Sequence, residues 1–175
     1  MGGGGIPILF QHTGAWAAEA WARGARPVRG ARIAQDIFDA GLIPGDTDYR
    51  MLSARHYGTL PGLDLAFIKG SVTYHTHLDD TAHLRAGVLQ ETGEAVLRGA
   101  YSLAATMAAA EARGDAAETL YSPAQLRERV VYVDMLGYGM ITYRDSVAPY
   151  IHNSPLALYL LLPLSTVLQA SGRRA

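Results

Sequence analysis

The chain contains no cysteine among its 175 residues. Disulfide bonds and thiolate metal sites are therefore excluded, and a zinc ion would have to be bound by His, Asp or Glu. Charge is also scarce, because Lys, Arg, Asp and Glu make up 18% of the chain and the formal net charge is −1. Since there is no basic block and Lys69 is the single lysine, the sequence predicts no nucleic acid partner.

The first residues lack the basic and apolar regions of a signal peptide. Met1-Gly2-Gly3-Gly4-Gly5 leads at once into an apolar run over residues 6–10. A domain that opens on a strand behind a glycine turn is typical of a fragment. We therefore expect the chain to be part of a longer protein.

Familiar catalytic motifs are missing as well. The sequence has no H-E-x-x-H zinc motif, no G-x-S-x-G nucleophile turn, no P-loop and no Rossmann glycine fingerprint. A hydrolytic metal site built from this chain alone is therefore expected to be incomplete.

The apolar fraction, 49%, is enough for one domain with a core, and strand patterns alternate with helix patterns. This alternation predicts an α/β fold. The predicted strands are Ile8 to Gln11, Leu63 to Ile68, Ser71 to Tyr74 and Val130 to Val133. The predicted helices are Ala15 to Ala25, Ala31 to Ala40, a turn over Asp48 to Ala54, Leu84 to Arg113, and one that begins at Ser122-Pro123, with a linker over Asp115 to Tyr121.

Two groups of polar residues are candidates for a functional site. His75 follows the predicted strand over residues 71–74, and Asp79 comes four residues later. A strand end holds a side chain rigidly, so His75 is either a metal ligand or simply a hydrogen-bonded histidine. Asp46 and Asp48 lie two apart on a Pro-Gly turn. They could bind a cation or a substrate amine, or one of them could be the N-cap of the next helical turn.

The C-terminal part is strongly apolar. Residues 155–168 form an uncharged run of fourteen residues, half of them leucine, interrupted by Pro163. A membrane span needs about 20 residues, and extending the run back to Val147 brings in His152 and Asn153. The segment 147–175 is therefore either a short membrane helix or a buried terminal helix.

Several motifs occur in a fixed order along the chain: Leu9-Phe10-Gln11 after glycines, Gln35 to Phe38, Gly41 to Tyr49, Pro61 to Phe67, Tyr74-His75-Thr76 with Asp79, Gly87 to Gln90, and Val131 to Gly137 with Ile141 and Tyr143. This ordered set resembles the di-zinc exopeptidases of the aminopeptidase type, peptidase family M28. Within that family it resembles the endoplasmic reticulum metallopeptidase branch.

The resemblance implies roles for individual residues. His75 matches the last zinc ligand of the family, Asp46 matches an aspartate near the substrate end of the site, and Asp79 matches an aspartate that orients the loop. Gly45 stands where the family pattern usually has serine. The other zinc ligands and the catalytic glutamate match nothing in this chain, so no catalytic residue is assigned.

The resemblance also implies an architecture and a function. It predicts the C-terminal part of a three-layer α/β/α zinc-exopeptidase fold with a hydrophobic C-terminal helix, divided into a partial peptidase domain (1–114), a linker and post-catalytic segment (115–146) and an apolar tail (147–175). The longer protein would use two zinc ions to remove residues from peptide ends, at the endoplasmic reticulum or another secretory-pathway membrane. This chain alone is expected to be inactive.

Two other functions remain open at this point. The first alternative is a non-catalytic domain, membrane-associated or structural. The second is a soluble domain that binds a small molecule, which would require a closed apolar pocket that the sequence does not indicate.

Overall fold

The computed structural model describes residues 5, 7–43, 45, 47–54 and 56–155. Helices and strands are mixed along the chain, so the α/β prediction is confirmed. The strands are β1 (Ile8–Thr13), β2 (Gly62–Ala66), β3 (Val130–Asp134) and β4 (Met140–Arg144). The helices are α1 (Ala15–Gly24), α2 (Arg32–Asp39), α3 (Tyr49–Leu52), α4 (Val88–Arg113), α5 (Ala116–Leu120) and α6 (Pro123–Arg127). Short 3-10 helices cover Ser71–Thr73 and Thr81–His83, and residues 148–155 are helical.

The strands form two antiparallel pairs, β1 with β2 and β3 with β4. The segment at Gly30 joins these pairs, because Leu9 N–H donates to the Arg29 carbonyl at 2.8 Å and Asp134 N–H donates to the Gly30 carbonyl at 2.9 Å. A Cβ at Gly30 would lie 2.9 Å from Leu9 Cβ, so only glycine permits this approach. The two strand pairs are thereby connected edge to edge through residues 30 and 31.

The core lies where α1 and α4 pack against the strands. Its buried cluster comprises Leu9, Ala18, Trp21, Ala25, Val28, Ala95 and Tyr132. Alanines on α1 and α4 let the helix backbones approach, and the Ser102 hydroxyl on α4 donates to the Ala20 carbonyl on α1 at 2.7 Å. Leu63 and Leu65 of β2 pack on the same cluster, so β2 is held directly by the core.

A β-bulge shapes the strand that leads to the candidate site. The β1–β2 register shifts between Leu9 and Gln11, which leaves Phe10 without a partner in the ladder. The Tyr132 hydroxyl donates to the Phe10 carbonyl at 3.0 Å, so a buried residue of β3 satisfies the group that the bulge releases. The Phe10 ring packs edge-on against Phe38 of α2, with 5.7 Å between ring centroids.

Most predicted elements are present, and four predictions need correction. Residues 71–74 are not a strand, because Ser71–Thr73 is a 3-10 helix. The long helix starts at Val88 rather than at Leu84, and the predicted linker contains α5. The strand β4 was not predicted at all.

The predicted hydrophobic C-terminal helix lies largely outside the described residues, which end at residue 155. Among the helices of the described part, none is both long enough and apolar enough to cross a membrane.

Candidate functional site

His75 lies in a tight turn and not at the end of a strand. Its φ is +60°, in the left-handed region that non-glycine residues seldom adopt. The imidazole stacks on the ring of Tyr74, with centroids 3.9 Å apart and planes 21° from parallel. The turn therefore presents an exposed imidazole in one orientation, supported by the neighbouring aromatic ring.

Local hydrogen bonds hold this turn. The carbonyl of Thr73, a residue only 8% exposed, accepts from the Thr76 hydroxyl at 2.6 Å and from the Thr76 N–H at 3.1 Å. The Thr76 hydroxyl in turn accepts from Leu78 N–H at 3.2 Å. Because these bonds close a loop on both sides of His75, its backbone is fixed without any strand pairing.

The next turn is capped by Asp80. Its carboxylate accepts from Ala82 N–H at 2.9 Å and His83 N–H at 3.2 Å, and it pairs with His83 Nδ1 at 2.8 Å. The hydrogen bond to the His83 side chain, followed by those to the backbone, lowers the pKa of the exposed Asp80 carboxyl from its ordinary value. Asp80 thus starts the 3-10 helix Thr81–His83 as its N-cap.

His75 and Tyr74 line a cavity of about 440 Å³. Three phenylalanines, Phe10, Phe38 and Phe67, make much of its wall. Thr47 and Asp64 add polar groups on the wall that β2 and the preceding loop provide. A cavity with an aromatic wall and few polar groups is the usual form of a small-ligand or side-chain site.

Asp64 is the buried charge of this region. It is 9% exposed on β2, directly opposite Gln11 in the β1–β2 ladder. Gln11 Nε2–H and the Thr47 hydroxyl both donate to Asp64 Oδ2, each at 3.1 Å. The carboxylate therefore ties β1, β2 and the loop before α3 together, which is the main polar contact behind the cavity.

The loop before α3 is also attached to β1 by a second contact. The hydroxyl of Thr13, at the end of β1, hydrogen bonds with the hydroxyl of Tyr49, the first residue of α3. Sequence reasoning did not select Gln11, Asp64 or Tyr49 as site residues. A carboxylate within the apolar run Leu63-Asp64-Leu65 was the available signal, since a charge on a buried strand needs a partner.

The structure separates the predicted site residues. Asp46 lies outside the described residues. Asp48 is at the N-cap position of α3 without a side-chain cap, and it lines a second cavity that shares Thr47 and Asp64 with the first. Asp79 is half-buried, and its N–H donates to the Thr76 carbonyl at 3.1 Å, so it belongs to the loop after His75.

The described residues do not fit a zinc site by themselves. No group of three or more His, Cys, Asp or Glu side chains within this part of the chain is placed to hold a metal ion. His77 is exposed beside His75, and Asp64 already accepts hydrogen bonds from two side chains. A structural or catalytic zinc needs three or four protein ligands, so His75 could contribute only one of them.

Comparison with known proteins identifies the family. The model of peptidase family M28 matches residues 1–100, the part that carries β1, β2, the Asp64 contacts and His75. The chain belongs to peptidase family M28. The resemblance inferred from the motifs is thus confirmed.

Relatives of this M28 chain carry similar names in animals and fungi. Endoplasmic reticulum metallopeptidase 1 of Mus musculus is 32% identical over 155 residues, which cover 86% of this chain and 16% of the mouse protein. The putative endoplasmic reticulum metallopeptidase 1 of Schizosaccharomyces pombe is 40% identical over 93 residues, 53% of this chain and 11% of that protein. Vacuolar membrane protease of Neurospora crassa is 43% identical over 88 residues, 50% of this chain and 8% of that protein. The chain therefore spans a small part of the length of these relatives, and no solved structure matches it.

Proposed function

We propose that this chain is the C-terminal part of the peptidase domain of a membrane-associated zinc exopeptidase, and that it supplies one zinc ligand, His75. The remaining ligands and the catalytic glutamate would come from residues that this chain does not contain. The chain by itself is then inactive toward peptides.

One observation carries this proposal: the placement of His75. Its imidazole is exposed at a cavity with a phenylalanine wall, on a turn that hydrogen bonds hold in a left-handed conformation. The turn lies inside the residues that match the M28 family. A rigid histidine next to an aromatic pocket can bind a metal while the pocket receives a substrate side chain.

The proposal also gives roles to three aspartates, Asp46, Asp48 and Asp79. Asp79 would orient the loop after His75, where its backbone is already bonded to Thr76. Asp46 and Asp48 would lie toward the substrate end, on the loop that Thr47 attaches to Asp64.

Zinc affinity and peptide hydrolysis test the ligand assignment. The chain as given should bind zinc no more tightly than about micromolar, because one imidazole leaves the rest of the coordination shell to water. In a longer form that contains the remaining family ligands, zinc should bind tightly and terminal residues should be released from peptides. His75→Ala in that form should abolish hydrolysis and lower the zinc content, because one of the ligands is lost, while the fold remains intact.

His77→Ala is the matched control, since His77 is an exposed histidine two residues away in the same loop. It should leave zinc content and hydrolysis unchanged. Tight stoichiometric zinc in the chain as given, or full activity in the longer His75→Ala form, would refute the assignment.

We further propose that residues 147–175 attach the protein to a secretory-pathway membrane, at the endoplasmic reticulum or the vacuole. The uncharged run 155–168 and the names of the relatives support this. The peptidase part would be residues 1–114, with 115–146 as the segment that connects it to the tail. Fractionation tests the attachment: the chain should sediment with membranes, and removal of residues 156–175 should release it.

A further inference from the structure

The outer side of the β3–β4 hairpin is apolar and exposed. In the ladder Val133 is directly opposite Ile141, and these side chains are 43% and 49% exposed. The connecting turn adds Leu136, 80% exposed, and Tyr138, 86% exposed. Together with Met135, these residues are called the hairpin face below.

The turn is well ordered by hydrogen bonds despite its exposure. Met135 N–H donates to the Gly139 carbonyl at 2.8 Å, and Val28 N–H, next to the core, donates to the Gly137 carbonyl at 3.2 Å. Leu136 nevertheless has φ +56°, a conformation unfavourable for leucine. An exposed leucine in a strained backbone conformation does not help folding in water, which points to a role in binding.

The hairpin face is adjacent to helix 148–155. Side chains alternate along a strand, so Tyr143 projects on the same side of β4 as Ile141. The Tyr143 hydroxyl is 2.6 Å from His152 Nε2, which attaches the helix to this side of the hairpin. The helix adds Tyr150, 78% exposed, and Ile151, 42% exposed.

The uncharged run 155–168 begins three residues after His152. Three residues of helix advance about 5 Å. A chain that enters a bilayer at the start of this run would therefore keep the Tyr143 end of the hairpin close to the lipid. The turn is five residues further along the strand, about 17 Å away, so it reaches the lipid when β3 and β4 lie along the bilayer surface. Tyrosine is favoured at such an interface, where its ring is in the apolar region and its hydroxyl remains hydrated.

The charges near the turn are compatible with this position. The Arg29 guanidinium lies beside the turn: a Cβ added to Gly137 would be 3.3 Å from one of the Arg29 nitrogens. A cation at this place can bind lipid phosphate. The Asp134 carboxylate accepts a hydrogen bond from Gly30 N–H at 3.0 Å.

We propose that the hairpin face docks on the surface of a lipid bilayer, with Leu136 and Tyr138 inserted among the headgroups. This rests on the proposed membrane attachment through residues 147–175 and extends it to a second contact within the folded part. The docked hairpin would fix the orientation of the domain relative to the membrane.

The absence of cysteine allows a direct test. Tyr138→Cys and Leu97→Cys would each be labelled with an environment-sensitive fluorophore and mixed with phosphatidylcholine vesicles, with or without a nitroxide-labelled lipid. Leu97 is the control because it is 58% exposed on α4, in a different part of the fold. We expect a blue-shifted, nitroxide-quenched signal at position 138 and a water-exposed signal at position 97.

A second pair of variants measures the contribution to binding. Leu136→Asn should weaken vesicle binding about tenfold, because a large apolar side chain is lost from the interface. Asparagine tolerates the left-handed conformation, so this variant should fold normally. Leu97→Gln should leave vesicle binding unchanged.

The outcomes separate this proposal from the membrane attachment. If the chain binds vesicles while position 138 remains in water, or if Leu136→Asn binds equally well, docking by the hairpin is refuted and the tail alone attaches the protein. If the label at position 138 is shielded from water without vesicles, the hairpin face is covered by protein and is not free to dock on lipid. The covering protein is a second copy if the shielding depends on protein concentration, and this chain itself if it does not. If the whole chain fails to bind vesicles, both proposals are wrong.

Discussion

Gly99 is a close contact between the two helices of the core, α1 and α4, and its replacement by alanine tests how they pack. A Cβ at Gly99 would lie 2.4 Å from two ring carbons of Trp21. Carbon atoms in contact are normally about 3.5–4.0 Å apart. The Trp21 ring, which is 2% exposed, or one of the two helices would have to move by about 1 Å.

Two effects of Gly99→Ala oppose each other. Alanine is the better helix former by about 1 kcal/mol in a helix interior. Overpacking a rigid core costs about 1–3 kcal/mol, and the upper end applies here because the new methyl group would overlap with a buried indole ring. We therefore expect a net loss of about 2 kcal/mol in the free energy of unfolding, or about 4–8 °C in Tm for a chain of this size.

Gly93→Ala is the matched control. Gly93 is in the same helix, α4, but it is exposed and a Cβ there would have no atom within 4 Å. Only the helix propensity changes, so this variant should be more stable by about 0.5–1 kcal/mol.

Urea unfolding followed by far-UV circular dichroism measures both variants. A second cycle adds Trp21→Phe, whose smaller ring should recover part of the loss caused by Gly99→Ala. If Gly99→Ala proves as stable as Gly93→Ala, Trp21 does not press on α4 at this position and the packing described for α1 and α4 is wrong.

Three further perturbations address the polar contacts. Asp64→Ala should lower the free energy of unfolding by about 2 kcal/mol, because the buried Gln11 amide and the Thr47 hydroxyl each lose an acceptor; an unchanged urea midpoint would contradict the contact. Arg32→Ala should lower the free energy of unfolding by about 1–2 kcal/mol. Burial lowers the pKa of this guanidinium, but hydrogen bonds and charges from Asp145 and Asp36 outweigh it and raise the pKa, while these carboxylate partners are 40–52% exposed and partly screened. Arg32→Lys should recover only part of the lost stability, and full recovery would argue against the paired hydrogen bonds of the guanidinium. The pKa of Asp80 is lowered in the fold, so its contribution to stability is present above the ordinary carboxyl pKa of about 3.9 and disappears as the pH falls through the folded value. The protection of the Ala82 amide, measured as its exchange rate relative to the intrinsic rate at the same pH, should fall over that acidic range, and the Asp80→Asn variant should lack this step.

The periodic patterns of the sequence predicted most of the regular elements. Most of the apolar run Leu63 to Ile68 is in β2 (Gly62–Ala66), the segment 15–25 contains α1, and most of the segment 84–113 is α4, which begins at Val88. Local patterns predicted these elements, because a short apolar run bounded by Gly or Pro favours a buried strand, whereas a long segment with apolar residues at helical spacing favours a helix. The start at Ser122-Pro123 was predicted well for the same reason, since the Ser122 hydroxyl accepts from Gln125 N–H at 3.4 Å.

The segment Ser71 to Tyr74 was predicted wrongly because composition does not specify a partner. Val72 and Thr73 are β-branched and favour strands. Gly70 before them is left-handed, with φ +77°, and turns the chain away from β2. With no neighbouring strand in the described part to pair with, these residues satisfy their backbone groups within a 3-10 helix.

The polar framework behind the cavity could not be predicted from one sequence. Asp64 and Gln11 are 53 residues apart, and they meet only because the bulge at Phe10 sets the β1–β2 register. A register shift of one residue would turn Asp64 toward the opposite face of the sheet. The strand β4 was missed for a related reason: the strand character of Met140 to Arg144 becomes informative only once the turn around Gly137 pairs it with β3.

These contacts bear on which groups of the cavity could serve a metal. The Asp64 carboxylate is buried, and its Oδ2 accepts hydrogen bonds from Gln11 and Thr47, so a metal bound at this oxygen would compete with those two donors. His75 is exposed, and its orientation is fixed by the backbone turn and by the stacked ring of Tyr74. Histidine adopts the left-handed conformation more readily than most residues, so the conformation alone does not single out His75. In combination with the cavity, it makes His75 the group that can accept a metal at least cost to the fold, and it leaves Asp64 as the support that holds β2 and the loop in place.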